Sequence, residues 1–137
     1  MLRPFDAIER VAHDVIGAAI EVHRTLGAGL LESVYRQCLA VELRDRGFVV
    51  ESEVAVPIVY KERRIASPLK LDLLVERCVV VEVKAVESLH PVHEAQVITY
   101  LMLSGYQAGL LMNFNEILLK NGLRRLDHPA RYARKKS

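Results

Sequence analysis

Cysteine is scarce in this chain. Cys38 and Cys78 are the only two in 137 residues, and they stand far apart with no metal-ligand spacing. That excludes a disulfide framework and a zinc-finger pattern, and predicts buried, reduced thiols in a cytoplasmic protein. Long apolar runs are also missing. None approaches the roughly 20 residues that span a bilayer, so no membrane partner is expected. Met1-Leu2-Arg3-Pro4-Phe5-Asp6 lacks the charged and apolar regions of a signal peptide. There is no internal repeat, low-complexity segment or linker. A nucleophile elbow, a phosphate loop and a CxxC pair are likewise absent. Gly27-Ala28-Gly29 precedes a helix, but no strand leads into it. Nor does one sign of charge dominate. The net charge is +2, and Arg131, Arg134, Lys135 and Lys136 contribute +4, which leaves about −2 for residues 1–130. A pan-basic nucleic-acid coat is therefore excluded, and the basic terminus reads as a solvated tail.

At 51% hydrophobic, the remainder is sufficient for one compact domain, residues 1–130, followed by a flexible tail at 131–137. Asp6 is placed to cap a first helix, with Glu9 completing a capping box. Ile8, Val11, Ala12, Val15, Ile16, Ala19, Ile20 and His23 then recur at helical spacing. A second helix is predicted from Leu31 to Arg46, with Val34, Cys38, Leu39 and Val41 inward and Gly47 as its stop. Phe48–Glu53 and Val54–Tyr60 read as extended segments, and Lys61–Arg64 as a charged turn. A third helix opens at 88–91 and closes at Gly105; a strand at 107–112 and a less regular one at 117–126 follow. A hairpin combined with one helical crossover predicts an α/β fold: a small mixed sheet with an antiparallel hairpin, flanked by helices.

The hairpin carries the chemistry. Lys70-Leu71-Asp72-Leu73-Leu74-Val75 and Val79-Val80-Val81-Glu82-Val83-Lys84 flank Glu76-Arg77-Cys78. A three-residue turn pairs Val75 with Val79 and sets Asp72 opposite Glu82. Side chains alternate between faces, so Leu71, Leu73, Val75, Val79, Val81 and Val83 share an apolar face. Lys70, Asp72, Leu74, Val80, Glu82 and Lys84 share the other. Opposed Cβ atoms lie about 5 Å apart, and like charges there destabilise a sheet. Charges on one face of a hairpin commonly just meet water. Two facing carboxylates and two facing lysines point instead to a bound cation with an anionic group beside it.

Gly29-Leu30-Leu31-Glu32-Ser33-Val34-Tyr35 spells GxxExxY. Together with Lys70-Leu71-Asp72, Glu82-Val83-Lys84, Gln96, Tyr100 and Leu111-Met112-Asn113-Phe114, it resembles the GxxExxY protein family of the PD-(D/E)xK nucleases, over residues 8–128. The resemblance implies a restriction-endonuclease-like core and a Mg²⁺- or Mn²⁺-dependent phosphodiesterase. Asp72, Glu82 and the Val83 carbonyl would bind the metal, with Glu32 adding a further carboxylate. Lys84 would orient water or stabilise charge on the phosphate, and Gln96 and Tyr100 would support the site. Leu71 stands where the motif usually has proline.

Alternatives remain beside these roles. Glu32 also suits the positive end of a helix, and Tyr35 reads equally as a supporting site residue and as a boundary tyrosine with a bonded hydroxyl. His93 extends the Gln96–Tyr100 stripe; it, His23 and His90 read as structural, and Asn113 as a turn residue. The expected partner is nucleic acid, DNA before RNA. Small size and a near-neutral body also suit a homodimer or a protein partner. The competing functions are a catalytically weak or inactive binding module of the same fold, and a structural subunit whose charged face is an interface.

Overall fold

A computed structural model describes residues 5–130, with side chains from residue 7 onward. The basic tail and the Asp6 side chain lie outside the described residues. Helix α1 spans Phe5–Leu26 and so starts one residue before the expected cap. Helix α2 spans Glu32–Asp45 and helix α3 spans Pro91–Ser104. The strands are β1 Val50–Ala55, β2 Ile58–Tyr60, β3 Arg63–Ile65, β4 Lys70–Val75, β5 Val79–Lys84, β6 Ala108–Asn113 and β7 Leu123–Asp127.

Five strands form one mixed sheet in the order β1-β4-β5-β6-β7. Only β5 and β6 run parallel, joined through α3, and the other neighbours are antiparallel. The α/β expectation therefore holds, with a helix layer on each face. Alternate strand residues divide the core into two clusters. Val50, Leu73, Val75, Val79, Val81, Val83, Leu110 and Met112 pack against α1 and α2. Leu74, Val80 and Leu111 pack against Val97, Tyr100 and Leu101 of α3. Leu71 departs from the predicted alternation by joining this second cluster.

Near the turn the hairpin register is as expected, with Val75 opposite Val79 and Leu73 opposite Val81, but the ladder stops there and the expected Asp72–Glu82 and Lys70–Lys84 pairs are not part of it. Glu76 and Arg77 both take positive φ in the turn, closed by Cys78 N–H donating to the Val75 carbonyl at 3.0 Å. Cys78 is buried, Cys38 half-buried, and neither forms a disulfide.

Two helical faces differ from expectation. Ile20 is 51% exposed, and Ala18 and Val22 are buried in its stead. On α2 the inner stripe is Tyr35, Leu39, Ala40 and Leu43, whereas Val41 is 57% exposed. The cause is Tyr35, whose ring stacks on Phe114 at 4.7 Å and fixes the rotation of the helix.

Residues 61–64 are not all turn. Lys61 and Glu62 form a two-residue turn with φ of 47° and 69°, while Arg63 and Arg64 belong to β3. The β2–β3 pair is a separate two-stranded ribbon. Near the other end of the chain, Leu119–Gly122 forms a 3-10 turn ahead of β7, shortening the last expected strand.

Candidate active site

Strands β4 and β5 part where their acids meet. The last backbone pair in that direction is Leu73 with Val81. At the next level, the Asp72 N–H donates to Glu82 Oε1 at 3.1 Å and the Val83 N–H donates to Asp72 Oδ2 at 2.8 Å. Each carboxylate thus occupies a place that a backbone carbonyl fills in an ordinary ladder. The exchange fixes both side chains without a long-range clamp. On the opposite side of β4, β1 skips its pairing at Glu53, which adopts a φ of 52°.

Glu82 is 3% exposed, whereas Asp72 is half-buried. Burial, followed by the adjacent Asp72 charge, pushes the Glu82 carboxyl up to about 8, against a smaller downward pull from Lys84. Without a cation, Glu82 therefore keeps its proton at neutral pH. Tyr100, over the same site on α3, is also raised by burial and then by Glu82 and Asp72, and it shares a hydrogen bond with Gln96.

A cavity of about 530 Å³ opens beside the acids, lined by Lys84, His93, Gln96, Thr99 and Tyr100 among others. Its α3 wall sits close to the sheet because Gly109 has no side chain. A Cβ there would come within 2.8 Å of Val97 Cγ1. His93 Nδ1 accepts the His90 N–H at 3.0 Å, so it holds the first turn of α3 while also lining the cavity.

The structure thus gathers Asp72, Glu82, Lys84, Gln96 and Tyr100. It does not gather Glu32 or Tyr35 with them. Among the described residues, no three His, Cys, Asp or Glu side chains are close enough together to hold a metal ion. The expected three-acid cluster is a two-acid pair, with Glu32 apart at the first turn of α2. Tyr35 is fully buried in the other cluster. Its hydroxyl donates to the Gly27 carbonyl at 2.6 Å and accepts the Leu30 N–H at 3.1 Å, closing the α1–α2 loop. His23 takes a structural place too, with Nε2 2.7 Å from the Glu116 carbonyl.

Asn113 does more than serve a turn. Fully buried, it accepts the N–H groups of Val86 and Asn115 and donates to the Val86 carbonyl at 2.9 Å. These bonds hold the chain just past Lys84 and so position the lysine. Its sequence signals are the end of a strand and its place in the Leu111-Met112-Asn113-Phe114 element, and neither reveals a partner 27 positions away.

The donor set fits a hard divalent cation: two carboxylates held side by side, one almost dry, whose repulsion Lys84 only partly offsets. Such a site, on a helix-flanked mixed sheet with one parallel crossover, defines a nuclease-like class of α/β domain. The chain belongs to the PD-(D/E)XK nuclease superfamily, whose family model matches residues 9–126. Comparison with curated proteins and with solved structures finds no match. Nucleases of this superfamily generally use divalent metals, and membership implies nucleic-acid binding. Among the described residues, no helix is long and apolar enough to cross a membrane.

Proposed function

We propose that this chain is a metal-dependent nuclease of the GxxExxY type that hydrolyses phosphodiester bonds in DNA. The observation that carries the reading is the Asp72–Glu82 pair, in which Glu82 accepts the Asp72 N–H and Asp72 accepts the Val83 N–H, with Lys84, Gln96 and Tyr100 lining a cavity on the same side. Burying two like charges against each other is costly unless a cation or proton joins them.

Asp72 and Glu82 would hold Mg²⁺ or Mn²⁺, with the Val83 carbonyl beside them. The chemistry such an ion supplies is polarisation of a phosphoryl oxygen and acidification of water. Lys84 places an ammonium at the cavity, where it stabilises the negative charge that grows on the phosphate. Tyr100 keeps its proton, because burial and the two acids disfavour the phenolate, and so remains a donor to a phosphate oxygen. Gln96 orients that hydroxyl. Glu32 contributes at most through water or substrate. The domain comprises residues 1–130 and acts in the cytoplasm.

Cleavage of labelled DNA with Mn²⁺, together with calorimetric Mn²⁺ binding, tests this reading. Lys84→Ala should cut cleavage by about 10²–10³-fold, the loss typical of one charge-stabilising donor, while keeping Mn²⁺ affinity. Asp72→Asn should lose both. Unchanged cleavage in Lys84→Ala would remove the lysine from the mechanism. Failure of the wild type to cleave any nucleic acid while binding Mn²⁺ would replace the nuclease with a binding module.

A further inference from the structure

The β2–β3 ribbon has no part in the five-stranded sheet, yet its roots are built into the site. The Val56 N–H donates to the Leu69 carbonyl at 3.0 Å, and Ala55 pairs with Lys70, two residues before Asp72. Val56 is buried in the cluster that contains Tyr100, with Leu69 packed against it. Pro57 and Pro68 flank the excursion and stiffen both roots. From there, three residue pairs and a two-residue turn project outward. At about 3.3 Å per residue, the reach is on the order of 10–15 Å.

Its surface is unlike that of the body. Residues 1–130 sum to about −2, but Lys61, Glu62, Arg63 and Arg64 give this ribbon +2. All four are exposed, and among the described residues none of the three cations forms an ion pair within 4 Å of a carboxylate. Tyr60 is 60% exposed, with Lys61 Nζ 5.4 Å from its ring centroid. Tyr60 is opposite Arg63, and Val59 is opposite Arg64, so successive pairs place cations on both faces of the ribbon. A solubilising edge needs no such two-sided arrangement on a separate, proline-braced arm.

We infer that the β2–β3 ribbon is a substrate-gripping arm that enters a groove of duplex DNA, with Arg63 and Arg64 meeting phosphates on its two walls. A two-stranded ribbon fits the roughly 12 Å major groove, and unpaired guanidiniums suit phosphate contacts. Lys61 adds a contact at the tip, and Tyr60 packs against the sugar–phosphate edge. Because the root adjoins Asp72, a duplex gripped by the arm is delivered to the carboxylate pair. The inference deepens the nuclease reading and rests on it for the direction of delivery.

The test is binding, so that it does not depend on hydrolysis. Fluorescence anisotropy with a labelled duplex and with the same sequence single-stranded, in chelator, is measured across a salt series. Wild type is compared with Lys61→Gln/Arg63→Gln/Arg64→Gln and with Tyr60→Ala. Loss of each phosphate contact lowers the salt slope by about 0.9, so the triple variant should show a shallower slope and at least about tenfold weaker duplex binding. Matching melting temperatures establish that the variants fold; should the triple variant melt early, Arg64→Gln alone carries the comparison. An unchanged slope and affinity, or wild-type preference for the single strand, would overturn the arm. Duplex binding through the arm without cleavage in Mn²⁺ would overturn the nuclease reading and leave the arm standing.

Discussion

Glu82 is the residue at which folding and function pull hardest against each other. Its carboxyl must enter a strand whose other residues, the terminal Lys84 apart, are all valines, and the polar group it bonds to is the backbone of another acid. The folded protein therefore binds a proton there up to about pH 8, whereas the unfolded chain releases it near 4.5. Between those values the native state holds more protons than the unfolded one, so stability falls as pH rises. In metal-free protein, this contribution is fully present below pH 4.5 and is lost as pH passes through about 8. Glu82→Gln keeps the shape but cannot ionise. We expect its melting temperature to exceed that of wild type at about pH 8.5, and the difference to shrink toward the acid end of the window. Urea midpoints for both proteins across the pH series check this, and parallel curves would show that Glu82 does not carry the penalty.

At the level of elements, α3 matters most, because it brings Gln96 and Tyr100 to a site whose acids lie on strands. It seats against Gly109 of β6, where an added methyl group would meet Val97 and Leu101. Gly109→Ala should destabilise the fold by about 1–3 kcal/mol through overpacking. It should also reduce DNA cleavage by lifting Tyr100 from the acids, while leaving the Asp72–Glu82 pair able to bind Mn²⁺; thermal melts and calorimetry separate the two effects. Other elements differed in how openly their sequence declared them. The β4–β5 hairpin was legible because a strict period of two and a three-residue turn leave one register that buries the valines. That register brings Asp72 toward Glu82, whereas the parting of the strands there and the bonds from the Asp72 and Val83 N–H groups to the opposite carboxylates had no sequence signal. Helix α2 was ambiguous, because Val34, Cys38 and Val41 form one apolar stripe while Tyr35, Leu39 and Leu43 form another. Stacking of Tyr35 on Phe114, 79 positions along the chain by numbering, decides between them. The same rotation governs Tyr35, which becomes a loop fastener. No local periodicity reports such a contact. The β2–β3 ribbon was hidden for a different reason: its turn uses Lys61 and Glu62 at positive φ, where glycine or asparagine is the usual signal.

For the whole molecule, the proposed metal site links metal binding, protonation and folding through the Asp72 and Glu82 carboxylates. A cation that binds the native state alone adds stability by mass action, about 2.7 kcal/mol at a hundredfold excess over its dissociation constant. For a domain of this size that corresponds to a rise in melting temperature on the order of 10 °C. The proton at Glu82 competes for the same site, because a carboxyl that ligates must first ionise. Mn²⁺ should therefore raise the melting temperature more at about pH 8.5 than at pH 6, opposite to the trend of the metal-free protein. The two curves should converge in acid, where the proton holds the pair together, and diverge in base, where only the cation can. Asp72→Asn removes one ligand and relieves the repulsion at once. It should flatten both curves, with little Mn²⁺ response at either pH. Differential scanning calorimetry with and without chelator measures the four conditions directly. A Mn²⁺ shift of equal size at both pH values, or one that survives in Asp72→Asn, would place the cation elsewhere on the molecule and leave the buried pair as a proton-sharing structural joint.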